Sequence, residues 1–167
     1  MHKVLSIVLL LMVTSFTGFS QEKKAQQSPR ASAKGDNVEV SYGQPSKRGR
    51  EIFGKLVPYG EVWRTGANEA TEITFKKDGM FGGKPVKAGT YSLFTIPTEK
   101  SWELILNSEL KQWGSFGYDK IKSKDVLHIN APVRLLPGEV EKLTITVKKD
   151  ALLIEWDKTG VTVPMKF

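Results

Sequence analysis

The chain of 167 residues contains no cysteine, two histidines and a formal net charge of +7. Without cysteine there can be no disulfide, thiolate zinc site, cysteine nucleophile or lipid-modified cysteine. His2 falls in a leader segment, which leaves His128 alone and rules out histidine-rich metal sites and the HExxH pattern.

Met1 to Ser20 reads as a secretory signal. Lys3 precedes the apolar run Val4 to Val13, and Gly18-Phe19-Ser20 puts small residues where a signal peptidase reads, with Gln21 as the new N-terminus. The run Ser6 to Phe16 is too short for a membrane span, which needs roughly 20 apolar residues; an uncleaved anchor is the alternative. The expectation is an exported protein, periplasmic or secreted. Loss of Lys3 takes the formal charge from +7 to +6, a basicity that favours anionic lipid or acidic glycan. Nucleic acid is not an expected partner, because the lysines are scattered rather than interleaved with aromatics on one face.

Residues 21–37 are polar and charged, and read as a disordered linker. A single domain, residues 38–167, follows. Val38, Val40 and Tyr42 alternate with polar residues as in a half-buried strand. Gly43 to Arg50 is a basic loop, solvated or, with Arg50, the rim of an anion site. Ile52 to Thr71 fits neither period. Thr71, Ile73 and Phe75 alternate again, and Lys77-Asp78-Gly79 is a hairpin signal. Met80 to Val86 is a weak, glycine-broken strand, while Tyr91 to Ile96 is dense enough in apolar residues for burial on both faces.

Trp102 to Asn107 is a further strand. Ser108 to Lys124 is a second irregular region, with the aromatic, glycine-hinged loop Gly114 to Asp119. Strands are expected at Val126 to Ala131, Leu143 to Val147 and Leu152 to Trp156, separated by turns at Leu136-Pro137-Gly138-Glu139 and Lys149-Asp150. Asp157-Lys158-Thr159-Gly160 is expected to close a hairpin onto Val161, Val163 and Met165. About eight or nine short strands with turn signals between them predict an all-β fold, an antiparallel β-sandwich. An outer-membrane barrel is disfavoured, since its strands need about 9–11 residues and Pro164 would remove a ladder donor from the closing strand.

The chemistry concentrates in Trp63 to Glu69. Trp63 can supply a flat wall, and Arg64 a planar fork of donors suited to carboxylate or phosphate. A positive φ at Gly66 would fold the chain back so that Arg64 faces Glu69. Asn68 can donate and accept at once, as a sugar or amide ligand requires. The architectural alternative has Arg64 bonding Glu69 and loop carbonyls, Asn68 satisfying the turn and Trp63 filling the core. Trp113, Phe116 and Tyr118 form a second candidate surface, for stacking on a ligand or as a satellite core. His128 reads as an exposed strand histidine. No GxSxG, Walker-type loop or GxGxxG occurs.

The runs VPYGEVWRTGANEAT, KAGTYSLFTIP, WELILN and WGSFGYD resemble a bacterial family of exported proteins known only as a domain of unknown function. The resemblance spans nearly all of Ser28 to Phe167. Its hallmarks fall on Arg50, Gly54, Pro58, Tyr59, Gly60, Trp63, Arg64, Gly66, Asn68 and Glu69. It implies a secreted all-β domain and passes on no catalytic assignment.

The expected function is therefore binding of a small polar or anionic ligand, or an envelope component. Arg64, Asn68, Glu69, Trp63, Tyr59, Arg50, Trp113 and Tyr118 line the site, with no metal and no cofactor. Two alternatives stand beside it: a hydrolase or lyase with Glu69 as general base, and a structural, partner-binding envelope module.

Overall fold

A computed structural model describes residues 27–167; the expected signal segment and the start of the polar linker lie outside them. Among the described residues nine strands run in the order β1 (Arg30–Lys34), β2 (Val38–Gly43), β3 (Thr71–Phe75), β4 (Gly79–Phe81), β5 (Lys84–Val86), β6 (Gly89–Pro97), β7 (Ser101–Asn107), β8 (Asp125–Val147) and β9 (Ala151–Lys166). One short helix, α1 (Tyr118–Ile121), and a 3-10 turn, Lys122–Lys124, precede β8. Among the described residues no helix is long and apolar enough to cross a membrane.

Every strand pair is antiparallel, so the all-β reading holds. The layers come from one sheet, ordered β1-β2-β3-β6-β7-β8-β9-β4-β5, that folds over on itself. β8 pairs with β7 as far as Pro132 and with β9 from Val133 onward. Its far end then lies over β2, where the Ile145 amide donates to the Tyr42 hydroxyl at 3.2 Å and the Leu143 amide to the Pro45 carbonyl at 3.0 Å. Alternate residues of both halves, among them Val40, Ile73, Leu104, Leu143, Ile154 and Val163, meet in one buried cluster, which apolar burial stabilises.

Two expected turns are not turns. Asp157, Thr159 and Gly160 of β9 pair with Val140, Leu135 and Arg134 of β8, and Leu136 to Glu139 is the unpaired excess between Leu135 and Val140, in a ladder whose register shifts from Leu135 to Thr144. Turn chemistry placed at the same level of neighbouring strands makes bulges, which bend and twist a sheet rather than reverse it. Lys77-Asp78-Gly79 is likewise not a hairpin. It carries the chain from β3 across to β4, which pairs with β5 and β9; the tight turn is Gly82-Gly83, both at positive φ.

The linker needs the largest correction. Arg30–Lys34 within it forms edge strand β1 against β2, because Ala31 and Ala33 pack on the core while their charged neighbours stay outside. β6 is buried on both faces as expected: Phe94 on its outer side, with its neighbour Ile105 of β7, is covered by Val62, Tyr118 and Ile121.

Candidate functional site

The connection between β2 and β3 carries its own apolar anchors. Ile52, Phe53, Val57 and Trp63 are all buried. The Trp63 backbone exchanges two hydrogen bonds with Thr95 of β6, at 2.7 and 2.9 Å. Its ring stacks on Trp156 at 6.0 Å and meets Phe53 and Trp102 edge-on, while its indole N–H donates to the Gly66 carbonyl at 3.1 Å. Trp63 thus forms the floor of the site and belongs to the core.

Beyond Trp63 the chain reverses through left-handed residues. Thr65 and Asn68 have φ of +56° and +63°. Gly66, expected to supply the reversal, is not among the positive-φ residues; it is needed for space, because a Cβ there would stand 2.9 Å from the Gly43 carbonyl oxygen. A β-branched residue in the left-handed region costs roughly 1–3 kcal/mol and persists only where its surroundings fix it. Thr65 is fixed by its hydroxyl, 3.1 Å from that of Thr95, and by the Thr71 hydroxyl, which donates to its carbonyl at 2.9 Å.

This reversal separates Arg64 from Glu69. The exposed Glu69 carboxylate reaches Arg30 of β1 at 3.5 Å. The Asn68 side-chain amide donates to the Ser28 carbonyl at 3.0 Å, which ties down the start of β1. The guanidinium, amide and carboxylate expected to face one another are therefore dispersed, and the general-base reading of Glu69 loses its orienting cation.

Arg64 is left with little. One terminal nitrogen donates to the Asn68 carbonyl at 3.4 Å, and its carbon lies 5.8 Å from the centre of the Phe116 ring, within cation–π range. Its buried Nε has no hydrogen-bond partner. The ion pairs among the described residues include neither Arg64 nor Arg50. Burial pushes the Arg64 guanidinium below its ordinary value, but an arginine remains charged throughout the ordinary pH range.

Two adjoining lobes open on either side of Arg64. One, of about 200 Å³, is lined by Arg50 and Arg64 among the apolar Pro45, Leu56, Val57, Trp63 and Trp156, with Ser28, Gly66 and Ala67 beside them. The other, of about 180 Å³, is lined by Leu56, Val57, Pro58, Val62, Ser115 and Phe116, with Glu61 at its border. Arg50 spends two donors on the Lys47 and Ser46 carbonyls, at 2.9 and 2.7 Å, which fixes it beside the first lobe.

The second irregular region docks here through its backbone. The Ala70 amide donates to the Gln112 carbonyl at 2.8 Å, and the Gly114 amide to the Asn68 carbonyl at 3.0 Å. The two surfaces singled out in the sequence are thus neighbours. Their side chains divide: Phe116 and Trp113 are exposed, whereas Tyr118 turns away, packs on Phe94 at 5.2 Å and donates to Asp125 at 2.5 Å. Tyr59 lies apart, lining a shallow depression with Thr98, Glu99 and Lys100.

Some participants carried no usable signal in the sequence. Ser28 and Leu56 sit in stretches that read as linker or loop, and Ala67 offers only backbone. His128 is half-exposed, as expected, but it is not isolated: its Nδ1 lies 2.7 Å from Glu103 and its Nε2 3.2 Å from Asp125. Period-two pairing placed Glu103 within reach, since β7 and β8 are neighbours. Among the described residues no group of histidine and carboxylate side chains is placed to hold a metal ion.

A family model described as "Protein of unknown function (DUF2911)" matches residues 20–165. No curated protein and no solved structure matches the chain.

Proposed function

The chain belongs to the DUF2911 family of proteins of unknown function, and we propose that it is an exported binding module which takes a small anionic ligand, of carboxylate or phosphate type, at Arg64. The observation that supports this is a half-buried guanidinium bordering an open cleft, with no carboxylate within ion-pair distance among the described residues. A desolvated charge is costly unless paired. Structural arginines in such positions are ordinarily satisfied by acidic side chains, so the missing counter-charge belongs to the ligand. Arg50, beside the same lobe, adds a second guanidinium and would steer anions toward it. Trp63 is the rigid floor, and the Asn68 backbone holds the loop in shape.

Calorimetric titration with acetate and inorganic phosphate at fixed ionic strength tests the reading. The wild-type protein should bind, Arg64→Gln should weaken binding at least about tenfold, as expected for loss of a charge-assisted hydrogen bond, and Arg50→Gln should weaken it less. Equal affinities in wild type and Arg64→Gln would refute it.

A further inference from the structure

The chain holds four tryptophans, and three of them, Trp63, Trp102 and Trp156, are buried. The fourth, Trp113, is 58% exposed on a segment whose backbone is firmly held. We infer that Trp113, with Glu69 and Arg30 at its edge, is a stacking site for an uncharged pyranose unit of an oligosaccharide. Neither Trp113 nor Glu69 lines the lobes beside Arg64, so this second site stands or falls independently of the anion receptor.

Glu69 and Trp113 face each other across an antiparallel bridge. The amide following each donates to the carbonyl preceding the other, Ala70 to Gln112 at 2.8 Å and Gly114 to Asn68 at 3.0 Å. In this non-hydrogen-bonded kind of pair the two Cα atoms stand about 4.5 Å apart, with both side chains on one face. The Glu69 carboxylate is thereby brought beside the indole, and it meets the Arg30 guanidinium at 3.5 Å. Arg30 is oriented in turn by its Nε, which donates to the Ser41 hydroxyl at 2.9 Å. Both members of the pair remain close to half exposed, so the carboxylate can accept from one sugar hydroxyl while the guanidinium donates to another. A pyranose has an apolar C–H face and a rim of hydroxyls, which an open indole face with an acceptor and a donor at its edge complements. The charges of Glu69 and Arg30 cancel, which selects an uncharged sugar here and leaves anions to Arg64 and Arg50. Gly114, at φ +75°, turns the chain directly after Trp113, so that Phe116 goes to the Arg64 side and Trp113 stays with Glu69. Ser32, Ser41 and Glu72 stand at one level on the outer face of β1, β2 and β3. They offer hydroxyl and carboxylate groups to a neighbouring unit, so an oligosaccharide fits better than a single sugar.

Trp113 is its own reporter, because the other three indoles are shielded. Tryptophan emission of the wild-type protein is titrated with cellotetraose, maltotetraose and chitotetraose, with acrylamide as quencher. At least one of the three should move the emission to shorter wavelength and reduce its quenching, and calorimetry with that oligosaccharide then gives the affinity. Trp113→Ala should weaken binding at least about tenfold through loss of the stacked face, with Trp113→Phe recovering part of the loss. Glu69→Ala should weaken it several-fold, and Arg64→Gln should bind the sugar as the wild type does. Should Trp113→Ala fail to fold, the quenching of the wild type decides alone. Saccharide binding of equal strength in wild type and Trp113→Ala would overturn the site, as would unchanged quenching with all three oligosaccharides. Loss of sugar binding in Arg64→Gln would overturn its separateness from the anion cleft.

Discussion

At the residue scale, the site is governed by close backbone approach and by one unmatched charge. Arg64 was legible because a fork of donors amid tryptophan, asparagine and glycine stands out in any strand-rich sequence. Its partner was not, because the fold-back depends on Thr65 and Asn68 in the left-handed region, and threonine gives no warning of that conformation. The glycines act instead by absence of bulk. A Cβ on Gly43 would lie 1.9 Å from the Ala67 carbonyl oxygen, a contact with backbone that no side-chain rotation relieves. Gly43→Ala should therefore destabilise the protein by about 3 kcal/mol, at the upper end for overpacking, as read from urea unfolding. An effect under about 0.5 kcal/mol would show that the loop does not rest on the end of β2.

At the scale of elements, alternating residues located the strands, and turn residues misled wherever their partners lay on another strand. That Leu136–Glu139 is the unpaired excess of β8 opposite the level of Asp157 and Thr159 is invisible until β8 and β9 are set side by side. β1 was missed because alanine and lysine carry no strand preference; its order comes from β2 and from Asn68 holding Ser28. The short helix α1 is tied to β8 by Tyr118, whose phenol is pushed above its ordinary value near 10 by burial first and then by its bond to Asp125. A raised folded-state value means that the fold favours the protonated phenol. This contribution is complete below about pH 10 and is lost as the pH rises further. Wild-type melting temperature should accordingly fall more steeply above about pH 10 than that of Tyr118→Phe. Tyr59 is shifted in the same direction but is common to both proteins, so the difference isolates Tyr118. Parallel profiles would show that Tyr118 does not hold, in solution, the buried and Asp125-bonded position that raises it.

At the scale of the whole molecule, fold class was legible and site geometry was not, for one reason. Strand count and turn spacing are local properties, whereas the junction of residues 63–69 with 112–116 depends on how a single sheet closes over its core. Export rests on the pattern of Met1 to Ser20, and intact mass of the protein recovered from the envelope or medium should place the mature N-terminus at Gln21; retention of the leader would contradict it. The anion receptor itself is tested most directly by ligand-dependent melting of wild type and Arg64→Gln. The variant should fold, since among the described residues the Arg64 side chain makes only one hydrogen bond, at 3.4 Å, and its backbone bond with Thr71 is kept. With the tighter of acetate and inorganic phosphate at about 100 times its dissociation constant, linkage stabilises the native state by about 2.7 kcal/mol. At about 2–4 °C per kcal/mol for a chain of this size, the wild type should melt roughly 5–10 °C higher, and Arg64→Gln, at least about tenfold weaker in affinity, should rise by no more than about half as much. An equal rise in both proteins would contradict the assignment of Arg64.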